Sequence, residues 1–379
     1  MRVLITNLYI SKGSGSEAVV ELLADGLRRA GHQPMLYAPT VGPQAERMRR
    51  RGHLVVDRLA ALPATPDVIH AQHVTPALMA MAAFPATPVV YACHSAFFEV
   101  EAPRLHPQIR RWIAVDDLCA ELCLSRGVPR ERLQVVLNAV DAERFRPRPP
   151  LPARPLRALL LAKAGGHEAL VREACAEAGI ALDLLGPATG RVTDRLEEEL
   201  PAYDIVFATA RMALEAAFVG CSVVVVDGRG FAGLLTTANL PAWRRLNFGA
   251  GLLNRPASLD AMRTAIGGYD PVDAAQVSAS LREQAGAAAY AEAHLTIYAE
   301  ACAESSPPPE CLPAATAAWL EELLPSQADR AWRKIARDLG STQETPTARL
   351  EQAARRLYRH VLPLGLRIRI RQLLRSTSG

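Results

Sequence analysis

Two short apolar runs, Asp204 to Phe207 and Ser222 to Val226, flank a helix-like stretch of about three turns. No other feature constrains the fold as strongly. A strand that is apolar on both faces needs cover on both faces, which is the signature of a parallel sheet between helix layers. The stretch between the runs, Thr209 to Gly220, is small and apolar except for Arg211 and Glu215. A helix starting at Ala210 presents backbone N–H groups, the positive end of its dipole and the Arg211 guanidinium, a combination suited to a pyrophosphate. Glu215, about one turn on, can accept hydrogen bonds from ribose hydroxyls. A plain core helix with a solvated Glu and Arg is the competing reading.

The same alternation runs through most of the 379 residues. Val3–Ile5, Met35–Tyr37, Leu54–Val56, Val68–Ile69, Val89–Tyr91, Ile113–Val115 and Val135–Leu137 read as strands with amphipathic segments between them. The clearest helix covers Glu17 to Ala30, opened by a Ser14/Glu17 capping box and closed by Gly31. Arg146 to Pro155 is a stiff, proline-rich linker. A second block follows, with strands at 158–161, 182–185, 205–207 and 223–226, and a helix over about Gln276–Ala303 closing it. The expected organisation is a first Rossmann-like domain (1–145), a linker (146–155), a second Rossmann-like domain (156–303) and a helical, basic extension (310–379).

Half of the residues are hydrophobic and mean hydropathy is +0.05, which places the chain among globular proteins. No apolar run approaches the roughly 18 residues a membrane span needs. Met1–Thr6 reads as a first strand rather than a signal peptide. Seven cysteines without a CxxC pair fit buried thiols in a reducing cytoplasm. The net charge of +4 is carried almost wholly by arginine, since only Lys12, Lys163 and Lys334 are lysines.

Several local motifs resemble those of GT-B glycosyltransferases, closest to the retaining family 4 type. Ser11 to Glu17, followed by a helix ending at Gly31, is similar to that family's first glycine loop. Pro66–His70 and Val89–His94 resemble its middle strands. Gly127 to Pro147, including Asn138, Asp141 and Phe145, matches its segment before the interdomain linker. Leu214 to Gly220 matches the second half of its donor-binding motif. The resemblance covers about residues 1–303. It implies an α/β GT-B fold, two Rossmann-like domains with parallel sheets facing a cleft, and transfer of a sugar from a nucleotide diphosphate donor with retention. It also implies a role for His94 in hydrogen bonding the transferred sugar; a structural histidine at a strand end is the alternative. The chain departs from the family in several places: the loop Thr209–Arg211 is shorter, Lys163 alone stands for the family's Arg and Lys after the first strand of the second domain, Ala139 follows Asn138 in place of glycine, and the first of two glutamates, eight positions before Glu215, is replaced by Phe207. In the family that glutamate contacts the donor sugar.

Glycosyl transfer needs the leaving diphosphate stabilised by a metal or by fixed cations and a helix start. Asp116 and Asp117 are adjacent rather than spaced as a metal pair and read as a helix opening. The expected site is therefore metal-free and needs no cofactor. Lys163, Arg211 and the amides near Ala210 serve the diphosphate. Glu215, with Thr209, Ala210, Met212 and Gly186, lines the nucleotide pocket. Gly13, Ser14 and Gly15 let the first loop approach donor phosphate or acceptor. Asp227 to Gly230 faces the cleft with no assigned role. The expected partners are a nucleotide-sugar donor and a glycan, lipid-linked or small-molecule acceptor, in bacterial-type envelope chemistry or secondary metabolism. After Glu351 seven arginines interleave with apolar residues at helical spacing. This pattern suits an anionic membrane surface on the inner face of the plasma membrane, or a helix that packs back on the first domain. Little aromatic interleaving argues against nucleic acid. A glycosyltransferase-like scaffold that binds without turnover is the rival reading.

Overall fold

The protein is described from a computed structural model, covering residues 1–323 except Ser14, 163–165, 187–188 and Asp194. Lys163 and the basic tail thus lie outside the described residues. The chain forms two compact units, Met1–Thr316 and Ala317–Gly379, and only residues 317–323 of the second are described.

In chain order the strands are β1 (Arg2–Thr6), β2 (Tyr9–Ile10), β3 (Gln33–Tyr37), β4 (Thr40–Val41), β5 (Leu54–Val56), β6 (Val68–Ala71), β7 (Val89–Cys93), β8 (Ile109–Ala114), β9 (Leu133–Val135), β10 (Arg157–Leu161), β11 (Ala181–Leu185), β12 (Ile205–Ala208), β13 (Ser222–Asp227) and β14 (Gly230–Leu234). The helices are α1 (Gly15–Arg29), α2 (Pro43–Arg50), α3 (Val74–Ala83), α4 (Asp117–Ser125), α5 (Glu168–Glu177), α6 (Leu196–Glu199), α7 (Ala210–Val219), α8 (Leu240–Arg245), α9 (Leu259–Gly267), α10 (Pro271–Gln284), α11 (Ala287–Ala303) and α12 (Cys311–Glu322).

One seven-stranded sheet runs β5-β3-β1-β6-β7-β8-β9, all parallel. The other runs β11-β10-β12-β13-β14, parallel except for β14. The strand order reverses between β1 and β6 in the first sheet and between β10 and β12 in the second. Crevices at the carboxyl ends of strands open at such points. The strands expected from apolar runs are present. The antiparallel β14 and the small β2/β4 pair were not expected, because Asp227–Gly230 reads as a turn and two-residue strands leave no periodic signal.

One expected helix is corrected. The segment 276–303 is two helices broken at Ala285–Gly286, not one, and the second does not close the second sheet. Ala287, Tyr290, Ile297, Tyr298 and Ala301 of α11 are buried in the core of the first sheet with Val20, Leu23 and Leu27 of α1. A Cβ on Gly26 of α1 would lie 2.7 Å from the Ala291 Cβ, so the two helices touch where glycine permits it. The chain thus crosses between the halves twice, side by side. Val140 N–H donates to the Ala285 carbonyl at 2.8 Å, and Val140 bridges Gly286. The proline-rich linker is strapped to the second half: Arg148 pairs with Asp204 at 2.9 Å, both largely buried, and Tyr269 Oη donates to the Pro152 carbonyl. No disulfide forms; five thiols are buried, Cys302 is exposed and Cys311 is half-buried.

Candidate active site

The second sheet presents its switch point as the turn from β12 into α7. Thr209 is extended at the helix N-cap, and Ala210 takes φ +53°, a left-handed conformation uncommon outside glycine. Threonine ordinarily caps such a helix with its hydroxyl. Here the Thr209 hydroxyl donates to Asp227 Oδ2 at 3.2 Å, and no side chain caps α7. Ala210 N–H is not available as the sequence reading expected: it donates to the Phe248 carbonyl at 2.7 Å. The uncapped amides on this turn are therefore those of Arg211 and Met212.

Arg211 and Glu215 meet one turn apart on α7, Nε to Oε1 at 2.7 Å, with side chains 16% and 7% exposed. The Arg211 Nη1 is buried without a partner among the described residues. Sequence reasoning placed these two groups on different parts of a ligand; in the structure they pair with each other. Arg144, on the crossing segment, pairs with Glu197 at 2.8 Å. Burial works to lower its pKa, but Glu197 and the fields of Glu21 and Glu215 keep it raised. Asp227 sits at the end of β13. Burial pushes its carboxyl up, but Arg229 and the Thr209 hydroxyl hold it below the usual value. His167, before α5, is buried with both ring nitrogens unpartnered among the described residues, and desolvation lowers its pKa against the pull of Asp227. Gly186, at the end of β11, has φ +129°, and a Cβ there would stand 2.2 Å from the Ala162 carbonyl oxygen. Only glycine fits, which makes its role the close approach of β10 and β11.

The first sheet presents Asn7, Gln72 and His73 at its switch point and His94 one strand further, after β7. Thr6 Oγ1 donates to the Gln72 carbonyl at 2.9 Å and accepts from the Gln72 N–H at 3.0 Å, tying β1 to β6. Both polar atoms of the buried Gln72 side chain lack partners, as does Asn7 Oδ1. His73 has φ +61°. Its Nδ1 accepts from the Leu8 N–H at 3.3 Å, which leaves Nε2 to donate to Glu101 at 3.4 Å. His94 follows β7, and its Nε2 is buried without a partner. Burial lowers its pKa, opposed by Glu101. Sequence reasoning found His94 but missed Glu101, His73 and Gln72; the pair of histidines in His70–His73 was the available signal.

The first glycine loop is held by a carboxylate of its own helix. Gly13, at φ +83°, and Ser11 donate their N–H groups to Glu17 Oε2 at 2.7 and 2.9 Å. Glu17 is fully buried, so a carboxylate already occupies amides that a phosphate would use. Gly15 begins α1, and Ser14 lies outside the described residues. Asp116 caps α4 through Cys119 N–H at 2.8 Å, as its position suggested.

The two edges are linked by α11. Tyr290 feels the charge of Arg211, its ring lies 4.3 Å from that of His294, and His294 in turn feels His94. Tyr298 and His70 share a 2.8 Å hydrogen bond further along the same face. A hydroxylated or phosphorylated ligand held between His94 and α7 would therefore touch both halves.

Residues 13–144 match the family model for Glycosyltransferase Family 4. HepE of Anabaena, solved with UDP, superposes with a TM-score of 0.59 at 14% identity, covering 79% of this chain and 100% of that one. Sucrose-phosphate synthase of Thermosynechococcus elongatus gives 0.51 at 15% identity, covering 80% and 100%. The lipopolysaccharide outer core galactosyltransferase WaaB gives 0.50 at 12% identity, covering 79% and 99%. No curated protein sequence matches. The fold is GT-B. With the family match across most of the first half, the class is a glycosyltransferase of that fold.

Proposed function

We propose that this glycosyltransferase takes a nucleotide diphosphate-sugar as donor and works without a metal ion. The observation that carries this reading is the start of α7. Two amides without a side-chain cap, a guanidinium with a free Nη1 and a buried carboxylate all fall within two turns. On donor binding Arg211 turns from Glu215 to the diphosphate, whose charge grows as the glycosyl bond breaks, and Glu215 accepts from the ribose hydroxyls. Lys163 adds a second cation. Met212, Thr209 and Ala210 shape the pocket floor. HepE has been solved with UDP, glucose and UDP-glucose, which makes UDP-glucose the first donor to test. His94 donates to or accepts from a hydroxyl of the transferred sugar. With retention, the departing phosphate oxygen itself takes the acceptor proton, so no separate base is needed.

Among acceptors, a lipid-linked sugar or similar amphiphile is favoured. Phe97 and Phe98 are 62% and 63% exposed, three and four residues past His94, where the apolar part of such an acceptor would rest. Attachment to the inner face of the plasma membrane fits the same acceptor, and no described helix is long and apolar enough to cross a membrane. The test is release of nucleotide from a panel of UDP-, GDP-, dTDP- and ADP-sugars, with and without lipid-linked acceptor. One donor should turn over, and Arg211→Ala and His94→Ala should suppress it. Tight binding without release of any donor would favour the scaffold reading, which the closed Arg211–Glu215 pair and the absent first glutamate support.

A further inference from the structure

The segment after α8 ties the first sheet to the start of α7, and sequence reasoning gave it no role. Asn247 and Phe248 are consecutive non-glycine residues with φ of +47° and +53°, and both are buried. Two left-handed residues in a row are costly unless fixed by their surroundings. Every polar atom of the Asn247 side chain is used. Its Nδ2 donates to the Val115 carbonyl in the first half. Its Oδ1 accepts from Asn138 N–H at 3.2 Å and from the buried Arg244. Arg244 also donates to the Asn138 carbonyl. Burial pushes the Arg244 pKa down to about 10, a measure of how little water reaches the knot. Beside it, Arg245 pairs with Asp117 across the same boundary.

Each end of this knot lies one residue from a site group. Val115 N–H donates to the carbonyl of Cys93, the residue before His94. The Phe248 carbonyl accepts from Ala210 N–H, the residue before Arg211. Ala210 is itself left-handed, so the first turn of α7 keeps its strained start only while that carbonyl is in place.

We propose that Asn247 is a positioning residue: by bonding Val115 it seats Phe248 so that its carbonyl sets the start of α7, making the geometry of Arg211 depend on the two halves being together. The proposal rests on reading α7 as the donor helix only for its functional consequence. The coupling itself is independent of any ligand. Asn247 does not touch substrate; it acts through Phe248 and Ala210. An open arrangement of the halves would release Val115, loosen the turn and lower affinity for a diphosphate.

Asn247→Gly tests this, because glycine adopts φ +47° freely and the backbone path survives while the side-chain bonds go. Asn247→Asp keeps the acceptor for Asn138 and Arg244 and sets a carboxylate oxygen against the Val115 carbonyl in place of the donor. Amide hydrogen exchange of Ala210, normalised to the Leu160 amide in β10 of the same half, is the readout. Both variants should speed Ala210 exchange by about tenfold or more relative to Leu160. A purely stabilising role would speed both amides together, and that result, or an unchanged ratio, overturns the proposal. UDP titrated into the same variants separates the two readings. A changed ratio with no UDP binding to wild type would leave the coupling standing and count against a UDP donor. An unchanged ratio with normal UDP binding would sink the coupling alone.

Discussion

Replacing Arg211 by Met should destabilise the protein in a way that removing Glu215's charge repairs. Glu215 has a side chain 7% exposed and a single resolved ion-pair partner, Arg211 at 2.7 Å. Methionine fills similar volume on the helix but strands the carboxylate. Breaking a buried pair from one side costs about 3–5 kcal/mol. The 16% exposure of Arg211 brings the expected loss nearer to about 2–3 kcal/mol. Glu215→Gln keeps an acceptor oxygen for Arg211 and should cost about 1 kcal/mol. The double variant should be less destabilised than the sum of the two by roughly 1–2 kcal/mol, because the stranded charge is gone. Scanning calorimetry reads this cycle as a fall of roughly 3–5 °C for Arg211→Met, partly recovered in the double variant. Strict additivity, or an Arg211→Met variant within about 0.5 kcal/mol of wild type, would refute the view that these groups hold each other.

Other expectations follow from the core. His294 is fully buried, donates Nδ1–H to the Tyr290 carbonyl at 2.8 Å, and is pushed by burial to a pKa of about 4. Its folded pKa lies below its unfolded value, so its contribution is complete above about pH 6.5 and is lost as pH falls through 4. His294→Gln should flatten the acid limb of stability by up to about 3 kcal/mol, measured by urea unfolding from pH 7 to 4; an unchanged limb would contradict the assignment. Gly26→Val should cost about 1–3 kcal/mol, because its side chain would meet Ala291 of α11. An unaffected melting temperature would mean that α11 does not pack on α1.

The strands were legible because a parallel sheet covered on both faces writes itself as apolar runs, as in Val223–Val226 and Val89–Tyr91. The destination of α11 was not. Its sequence is alanine-rich, and its buried tyrosines and histidine, four residues apart, carry no label saying which sheet they cover. The turn into α7 was legible because Thr209 precedes a helical stretch between two apolar runs, with Arg211 and Glu215 one turn apart. The occupation of Ala210 N–H by Phe248 was hidden, since the two are 38 positions apart and the bond needs two left-handed residues that are not glycine. Glu17 was expected to cap its own helix, and it does reach back to the loop amides. That same act engages the amides of Ser11 and Gly13.

The central claim is that α7 holds a nucleoside diphosphate without a metal. Titration calorimetry with UDP, GDP, dTDP and ADP, with and without EDTA, tests it directly, using Glu215→Ala as the control. One diphosphate should bind tightly, unchanged by EDTA, and weaken by about tenfold or more in the variant, the scale of one lost charge-assisted hydrogen bond. Absence of binding by all four, or binding abolished by EDTA, would contradict the account.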